Sequence, residues 1–107
     1  MAFAKTDLFE KKLQMEANLF KALSHPARIA IVQYLLSVDS CICGDIVNEL
    51  PLAQPTISQH LKELKNANII KGNIEGTAIC YCINPETIQK IEQYFNAISI
   101  KLKNQCC

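Results

Sequence analysis

The chain has 107 residues, 50% of them hydrophobic and 20% charged, and its formal net charge is +1. This length indicates a single domain, and no apolar run approaches the roughly 20 residues that cross a membrane. The charged N-terminal sequence differs from a signal peptide, so we expect a cytoplasmic protein with no membrane partner. A net charge near zero argues against nucleic-acid binding, but residues 53–73 hold three lysines against Glu63 alone.

Helical periodicity dominates the first third of the chain. Apolar residues near helical spacing predict a helix over residues 5–23. Ser24, His25 and Pro26 then end this helix and start another, because proline suits a first helical position and His25 or Ser24 can cap it. We expect the second helix to run to about Val38.

The six cysteines form three close pairs. The pairs are Cys41/Cys43, Cys80/Cys82 and Cys106/Cys107. In a reducing compartment such pairs indicate metal or redox chemistry more than a disulfide framework. The first pair precedes a short helix predicted over residues 44–50, and thiols near a helix N-terminus are readily deprotonated. Thiolates select soft ions. We therefore expect no required cofactor, but an effector such as As(III), Cd(II), Pb(II) or Zn(II) at Cys41 and Cys43, with Cys106 and Cys107 as further candidate ligands.

Other interpretations of the cysteines stay open. They can pack as small apolar residues without a ligand, or respond to oxidants or persulfides, because accessible thiolates oxidise first. A structural zinc joining Cys41 and Cys43 to Cys80 and Cys82 is a third possibility, although zinc knuckles usually space their cysteines more widely. A direct Cys80–Cys82 bridge is disfavoured, since residues two apart on a strand are separated by about 6.5–7 Å.

A turn over residues 51–54 leads into a helix that we expect to begin at Pro55. Ile57, Leu61 and Leu64 form a narrow apolar stripe, while hydroxyl and amide side chains fill the opposite side of the first turn. Such short side chains can reach base edges in a major groove, and glutamine can bond adenine through two hydrogen bonds. With the preceding short helix, residues 44–67 predict a helix-turn-helix. A plain amphipathic helix with a solvated polar face is the alternative.

After residue 68 the spacing of the apolar residues changes from helical to alternating, which indicates a β-hairpin. Strands predicted over 69–74 and 77–83, joined by a Glu75-Gly76 turn, would form a wing over residues 69–83. Alternation assigns Ile79, Tyr81 and Ile83 to the core face and Ala78, Cys80 and Cys82 to the outer face. Asn84 caps a last helix over residues 85–103. Its apolar face is broader than one small core needs, so this helix and the first one should pack against a second subunit.

The expected fold is therefore mainly α with a β-hairpin wing, in the order α-α-α-α-β-β-α, in one domain over residues 1–107. The expected partner is double-stranded operator DNA. The candidate DNA-contact residues are Gln54, Thr56, Ser58, Gln59, His60, Lys62, Lys71 and Thr77. His60 lies nearer the apolar stripe than Gln59, which favours packing over base contact, and His25 is expected to be a cap.

Four segments carry a family resemblance. They are LFKALSHPARIAIVQYLL at 19–36, CICGDIVNEL at 41–50, QPTISQHLKELKNANII at 54–70 and IEGTAICYCI at 74–83. With this order of elements, the chain resembles the ArsR/SmtB family of bacterial winged-helix repressors. The resemblance implies a homodimer built on the first and last helices, operator binding that blocks transcription, and release by an effector.

The resemblance is incomplete at the metal site. Arsenic-sensing members carry Cys-x-Cys-x-x-Cys, whereas the third position here is Ile46. Related cadmium and lead sensors add N-terminal cysteines, and residues 1–40 contain none. The family's other site uses histidines and carboxylates on the last helix, which here offers only Glu86 and Glu92.

Other functional classes find little support. The sequence has no glycine-rich phosphate loop, no paired carboxylates and no histidine placed to activate a cysteine, so we do not expect an enzyme. A protein-interaction module of the same fold would differ by lacking salt-dependent affinity for DNA.

Overall fold

The computed structural model describes residues 8–38, 42–43, 50–75 and 78–105. Within these ranges four helices and three strands follow one another. They are α1 (Lys11–Leu23), α2 (Pro26–Leu36), β1 (Ile42–Cys43), α3 (Gln54–Asn66), β2 (Ile70–Glu75), β3 (Ala78–Ile83) and α4 (Pro85–Lys103). The mainly helical fold with a β-hairpin is confirmed, while the helix predicted over 44–50 lies outside the described residues except for Leu50. None of the helices in the described ranges is long and apolar enough to cross a membrane.

Two helix starts are fixed by the predicted caps. His25 is extended, and its Nδ1 accepts a hydrogen bond of 3.0 Å from the Ala27 N–H. The Asn84 side chain accepts one of 3.2 Å from the Glu86 N–H. A proline follows each cap, where its missing N–H costs nothing. The first α-helix begins later than predicted, at Lys11, because the backbone of Glu10 before it is not helical (ψ 147°).

The three strands form one antiparallel sheet in the order β1-β3-β2. Glu75 pairs with Ala78, so β2 extends to Glu75, a residue that was predicted to lie in the turn. β1 was not predicted, and it places Cys43 on a strand rather than at the start of a helix. Two residues are too few to show a period, and the partner strand of β1 lies far along the chain.

The core lies between α2, α3 and the start of β2. Its buried members are Ala22, Ile31, Leu35, Ile57, Leu61, Leu64, Ile69 and Ile70. The predicted stripe of α3 is thus confirmed. After α3, Asn68 has φ 61°, in the left-handed region that asparagine tolerates at helix ends. Its carbonyl accepts a 2.5 Å hydrogen bond from the Thr87 hydroxyl, which joins α4 to the end of α3.

The predicted faces of β3 are only partly correct. Tyr81 and Ile83 do pack against the core. Ile79, however, is 45% exposed, and Cys80 has no exposed surface. The prediction treated the face that carries Cys80 as open. β3 is the central strand because β1 also pairs with it, and Cys80 is disulfide-bonded, so a second sulfur covers its thiol position.

α1 and α4 meet through aromatic rings. Phe20 lies with its ring centroid 5.1 Å from that of Tyr94 and 5.6 Å from that of Phe95. Despite this contact, both helices leave large apolar side chains exposed. These include Leu13, Met15, Phe95, Ile98, Ile100 and Leu102. Thr87 is the only buried residue of α4.

Candidate nucleic-acid interface

The N-terminus of α3 is open to an anion. The residue before the helix, Ala53, has no side chain that could cap it, and Pro55 supplies no N–H. The first turn contains no acidic residue. Because the first N–H groups of a helix have no partner within the helix, they and the helix dipole favour a bound phosphate.

Polar side chains surround this open end. The exposed residues of the predicted contact surface on α3 are Gln54, Thr56, Ser58, Gln59 and Lys62. The Gln59 amide donates a 3.1 Å hydrogen bond to Glu63 one turn later. That bond holds the Gln59 side chain along the helix. A base edge would have to compete with the Glu63 carboxylate for the Gln59 amide.

Two further lysines lie on the wing and on the end of α3 beside it. Lys71 is exposed on β2, as a backbone-contacting lysine should be. Lys65 lies at the end of α3, and a Cβ at Gly72 would come within 3.2 Å of its Nζ atom. The glycine therefore gives the lysine room against β2. Thr77, another candidate contact, lies outside the described residues.

His60 was included among the DNA-contact candidates, and for this residue the structure is against that role. Its side chain is only 8% exposed. Nδ1 of His60 accepts a 3.1 Å hydrogen bond from Nε of Arg28, and the His25 ring lies 4.4 Å away by centroid. Burial, followed by the charges of His25 and Arg28, lowers the pKa of His60 from its usual 6.5. The burial of His60 and its bond to Arg28 favour the packing interpretation.

Arg28 was missed as a functional residue. Besides the His60 ring it contacts the α1 end, because Nη1 donates a 3.2 Å hydrogen bond to the Ala22 carbonyl. One guanidinium group thus links α1, α2 and α3 and helps to hold α3 in position. His25 and Arg28 lie three residues apart, which places them on one side of the helix start, but nothing local in the sequence identified His60 as their partner.

The structure describes the cysteines unevenly. Cys41, Cys106 and Cys107 lie outside the described residues, so the predicted metal site is untested there. Cys43 pairs with Cys80 across β1 and β3. Cys80 and Cys82 are both disulfide-bonded. Among the described side chains, no group of three or more histidines, cysteines or carboxylates could hold a metal ion.

Comparison with known proteins assigns this architecture to a family. Residues 25–71 match the family model described as bacterial regulatory protein, arsR family. An uncharacterized HTH-type transcriptional regulator from Methanocaldococcus jannaschii is 40% identical over 82 residues, which cover 76% of this chain and 91% of that protein. The CadC homolog of Staphylococcus aureus, a cadmium resistance transcriptional regulatory protein, is 36% identical over 90 residues, covering 82% and 73%.

The fold itself is similar to solved structures. One is the homodimeric winged helix-turn-helix DNA-binding domain of a possible ArsR-family transcriptional regulator from Mycobacterium bovis. It superposes with a TM-score of 0.66 at 20% identity, covering 92% of that chain and 94% of this one. The chain therefore belongs to the ArsR/SmtB family of winged helix-turn-helix transcriptional regulators, which are DNA-binding proteins and not enzymes.

Proposed function

We propose that this protein is a homodimeric transcriptional repressor that binds a double-stranded operator and is released when an effector reacts with its cysteines. The observation that carries the DNA-binding part is the surface of α3. An uncapped helix start lies among exposed hydroxyl and amide side chains, on a helix whose opposite face is fully packed.

In this mode each α3 enters a major groove. Gln59, Ser58 and Thr56 contact base edges, while Lys62 and the wing residue Lys71 contact phosphates. Two such helices in a symmetric dimer occupy successive major grooves about 34–36 Å apart. The operator is accordingly expected to have two similar half-sites.

The dimer is supported by the exposed apolar surface of α1 and α4. Met15, Phe95 and Ile98 lie on these helices and are more exposed than core residues of a monomer should be. The M. bovis relative in fold is homodimeric. A second copy of the chain covering this surface would also enlarge the small core of a 107-residue protein.

A thiophilic metal or metalloid ion, such as arsenite, Cd(II) or Pb(II), is the first candidate effector. Thiolate ligands select such soft ions, and the similar S. aureus protein is named for cadmium resistance. Cys41 and Cys43 are the proposed ligands, with Cys106 and Cys107 completing the site. About 1–3 kcal/mol of coupling between the effector and DNA sites is typical of such regulation.

Oxidation of the cysteines is the second candidate. It is favoured by the register that sets Cys43 opposite Cys80 and by the disulfide bonds at Cys80 and Cys82. A redox-sensing or persulfide-sensing repressor of the same fold would use the same DNA surface. A DNA-binding dimer without any metal site is the remaining alternative.

Fluorescence anisotropy of the reduced protein on its own upstream DNA tests the proposal. The complex is titrated with arsenite, Cd(II), Pb(II), Zn(II) and an organic persulfide. We expect salt-dependent binding and release by a soft ion. Cys41→Ser/Cys43→Ser should bind DNA normally but resist release, while the control Cys106→Ser/Cys107→Ser separates the contribution of the terminal pair. Absence of DNA affinity would contradict the repressor function, and release of the Cys41→Ser/Cys43→Ser variant would place the sensor elsewhere.

A further inference from the structure

β1 sets two cysteines opposite one another. Cys43 and Cys80 are direct partners in the antiparallel register of β1 and β3. Directly opposite residues of antiparallel strands have Cα atoms about 4.5 or 5.5 Å apart, depending on the hydrogen-bonding pattern. Both values lie within the range of about 4.4–6.8 Å that disulfide-bonded cysteines span. The backbone alone therefore brings this pair within bridging distance.

The other neighbours of Cys80 fit less well. On β2 its partner is Asn73, which offers no thiol. Cys82 lies two residues along the same strand, about 6.5–7 Å away by Cα, at the outer limit for a bridge. Cys80 is disulfide-bonded and has no exposed surface, so its partner lies close to it, and β1 and β3 are adjacent strands. The register supplies Cys43.

We propose that Cys43 and Cys80 are a regulatory thiol pair, which an oxidant of the hydroperoxide class converts into a disulfide that ties β1 to the central strand of the sheet. One thiolate attacks the peroxide and breaks its O–O bond, becoming a sulfenic acid. The second thiol attacks that sulfur, forms the S–S bond and displaces water. With hydrogen peroxide, two thiols and one peroxide give one disulfide and two waters. The buried Cys80 is the thiol that attacks second.

The bridge would act on the DNA-contacting elements. The loop between residues 43 and 80 contains α3 and β2 entirely. Without a covalent link, β1 and β3 are joined by a register of two residue pairs. Oxidation therefore fixes the segment before α3 to the wing after it. This inference rests on the proposed repressor function for its consequence, which is an operator affinity at least tenfold lower in the oxidised form.

Two variants that both keep the buried Cys80 test the pairing. Cys41→Ser/Cys82→Ser retains Cys43 with Cys80, whereas the control Cys43→Ser/Cys82→Ser retains Cys41 with Cys80. Each reduced protein is treated with hydrogen peroxide, blocked at its remaining thiols and digested with trypsin. Residues 29–62 and 72–90 form the tryptic peptides that carry these cysteines, and residues 104–107 carry the terminal pair.

We expect non-reducing mass spectrometry to find peptide 29–62 linked to peptide 72–90 in the first variant and not in the control. No link, an equal link in the control, or a link to peptide 104–107 instead would each overturn the proposed pairing. Anisotropy of the first variant then tests regulation, and equal operator affinity before and after oxidation would overturn the regulatory role. The cross-link is measured without DNA, so its failure is distinct from failure of the reduced protein to bind an operator.

Discussion

The half of the molecule that carries the proposed DNA surface (α2, α3 and the three strands, here called the DNA-binding half) and the helix pair (α1 and α4) differ in where their apolar side chains lie. In the DNA-binding half, Ile31, Ile57 and Leu64 have no exposed surface. In the helix pair, Phe95 is 53% exposed and Leu102 is 60% exposed, although both helices are well formed. Apart from side chains such as Leu36 and Ile79, the first half buries its apolar residues within one chain, whereas the helix pair leaves an apolar face that the second copy of the proposed dimer would bury.

This contrast separates two tasks. The packed half fixes the orientation of α3, through the core beneath it and through the Arg28–His60 hydrogen bond at its side. In the proposed dimer, the helix pair sets how far apart two copies of α3 lie. A regulator can therefore change its affinity for DNA by changing the distance between the two copies of α3, while each α3 keeps its orientation within its own chain.

The largest expected effect is at the helix pair. Ile98→Lys places a charge on the exposed face of α4, so the dimer should dissociate. Because two linked half-site contacts raise affinity by about 10²–10⁴ over one, operator affinity should fall about a hundredfold or more. Sedimentation and anisotropy measure the two effects. Leu36→Lys, at an equally large exposed aliphatic residue on α2, is the control; if it weakened binding as much, the helix pair would not be the dimer surface.

Gln59→Ala should have the next largest effect. Loss of a base contact costs about 1–3 kcal/mol and relaxes the preference for the operator over other sequences. Binding to operator and to random duplex is compared by anisotropy, with Gln33→Ala, at an exposed position of α2, as the control. Equal losses on both duplexes would contradict base contact by Gln59.

A smaller and different effect is expected for Lys62→Ala. A phosphate contact carries no sequence information, so affinity should fall alike on all duplexes, and the slope of log affinity against log salt should fall by about 1. Lys103→Ala, at the end of α4, is the control. An unchanged slope for Lys62→Ala would remove this lysine from the interface.

The smallest expected effect is on the pH dependence of the free energy of unfolding, and it arises at His60 in the DNA-binding half. Since the pKa of His60 is lowered in the folded state, the unfolded state binds more protons as pH falls below the usual value of 6.5. The free energy of unfolding should therefore be highest above that pH and decrease below it. His60→Asn keeps an acceptor for Arg28 but does not titrate, so chemical denaturation at several pH values should show a flatter profile. An equally steep profile would assign the pH dependence to other groups.

Much of this fold follows from local patterns. The period of the apolar residues predicted α3 and its buried stripe, and the Asn84-Pro85 pair predicted the start of α4. β1 was missed, because a two-residue strand has no period and exists only through its pairing with β3. That same non-local pairing made β3 central and buried Cys80, which alternation had assigned to the outer face.

The candidate site was predicted to a similar extent. The exposed polar residues of α3 follow from the helical wheel, since the opposite face must be buried. The Arg28–His60 contact joins residues 32 apart in the chain, and only tertiary packing brings them together. The relation of Cys43 to Cys80 has the same origin, so a list of close cysteine pairs could not reveal it.

Native mass spectrometry of the reduced protein on a duplex with two half-sites tests the central claim most directly. We expect two chains bound to each duplex, with the two-chain complex replaced by free DNA in Ile98→Lys. A complex of one chain per duplex at saturation, or no complex on any upstream DNA, would contradict the account of a dimer that binds its operator through α3.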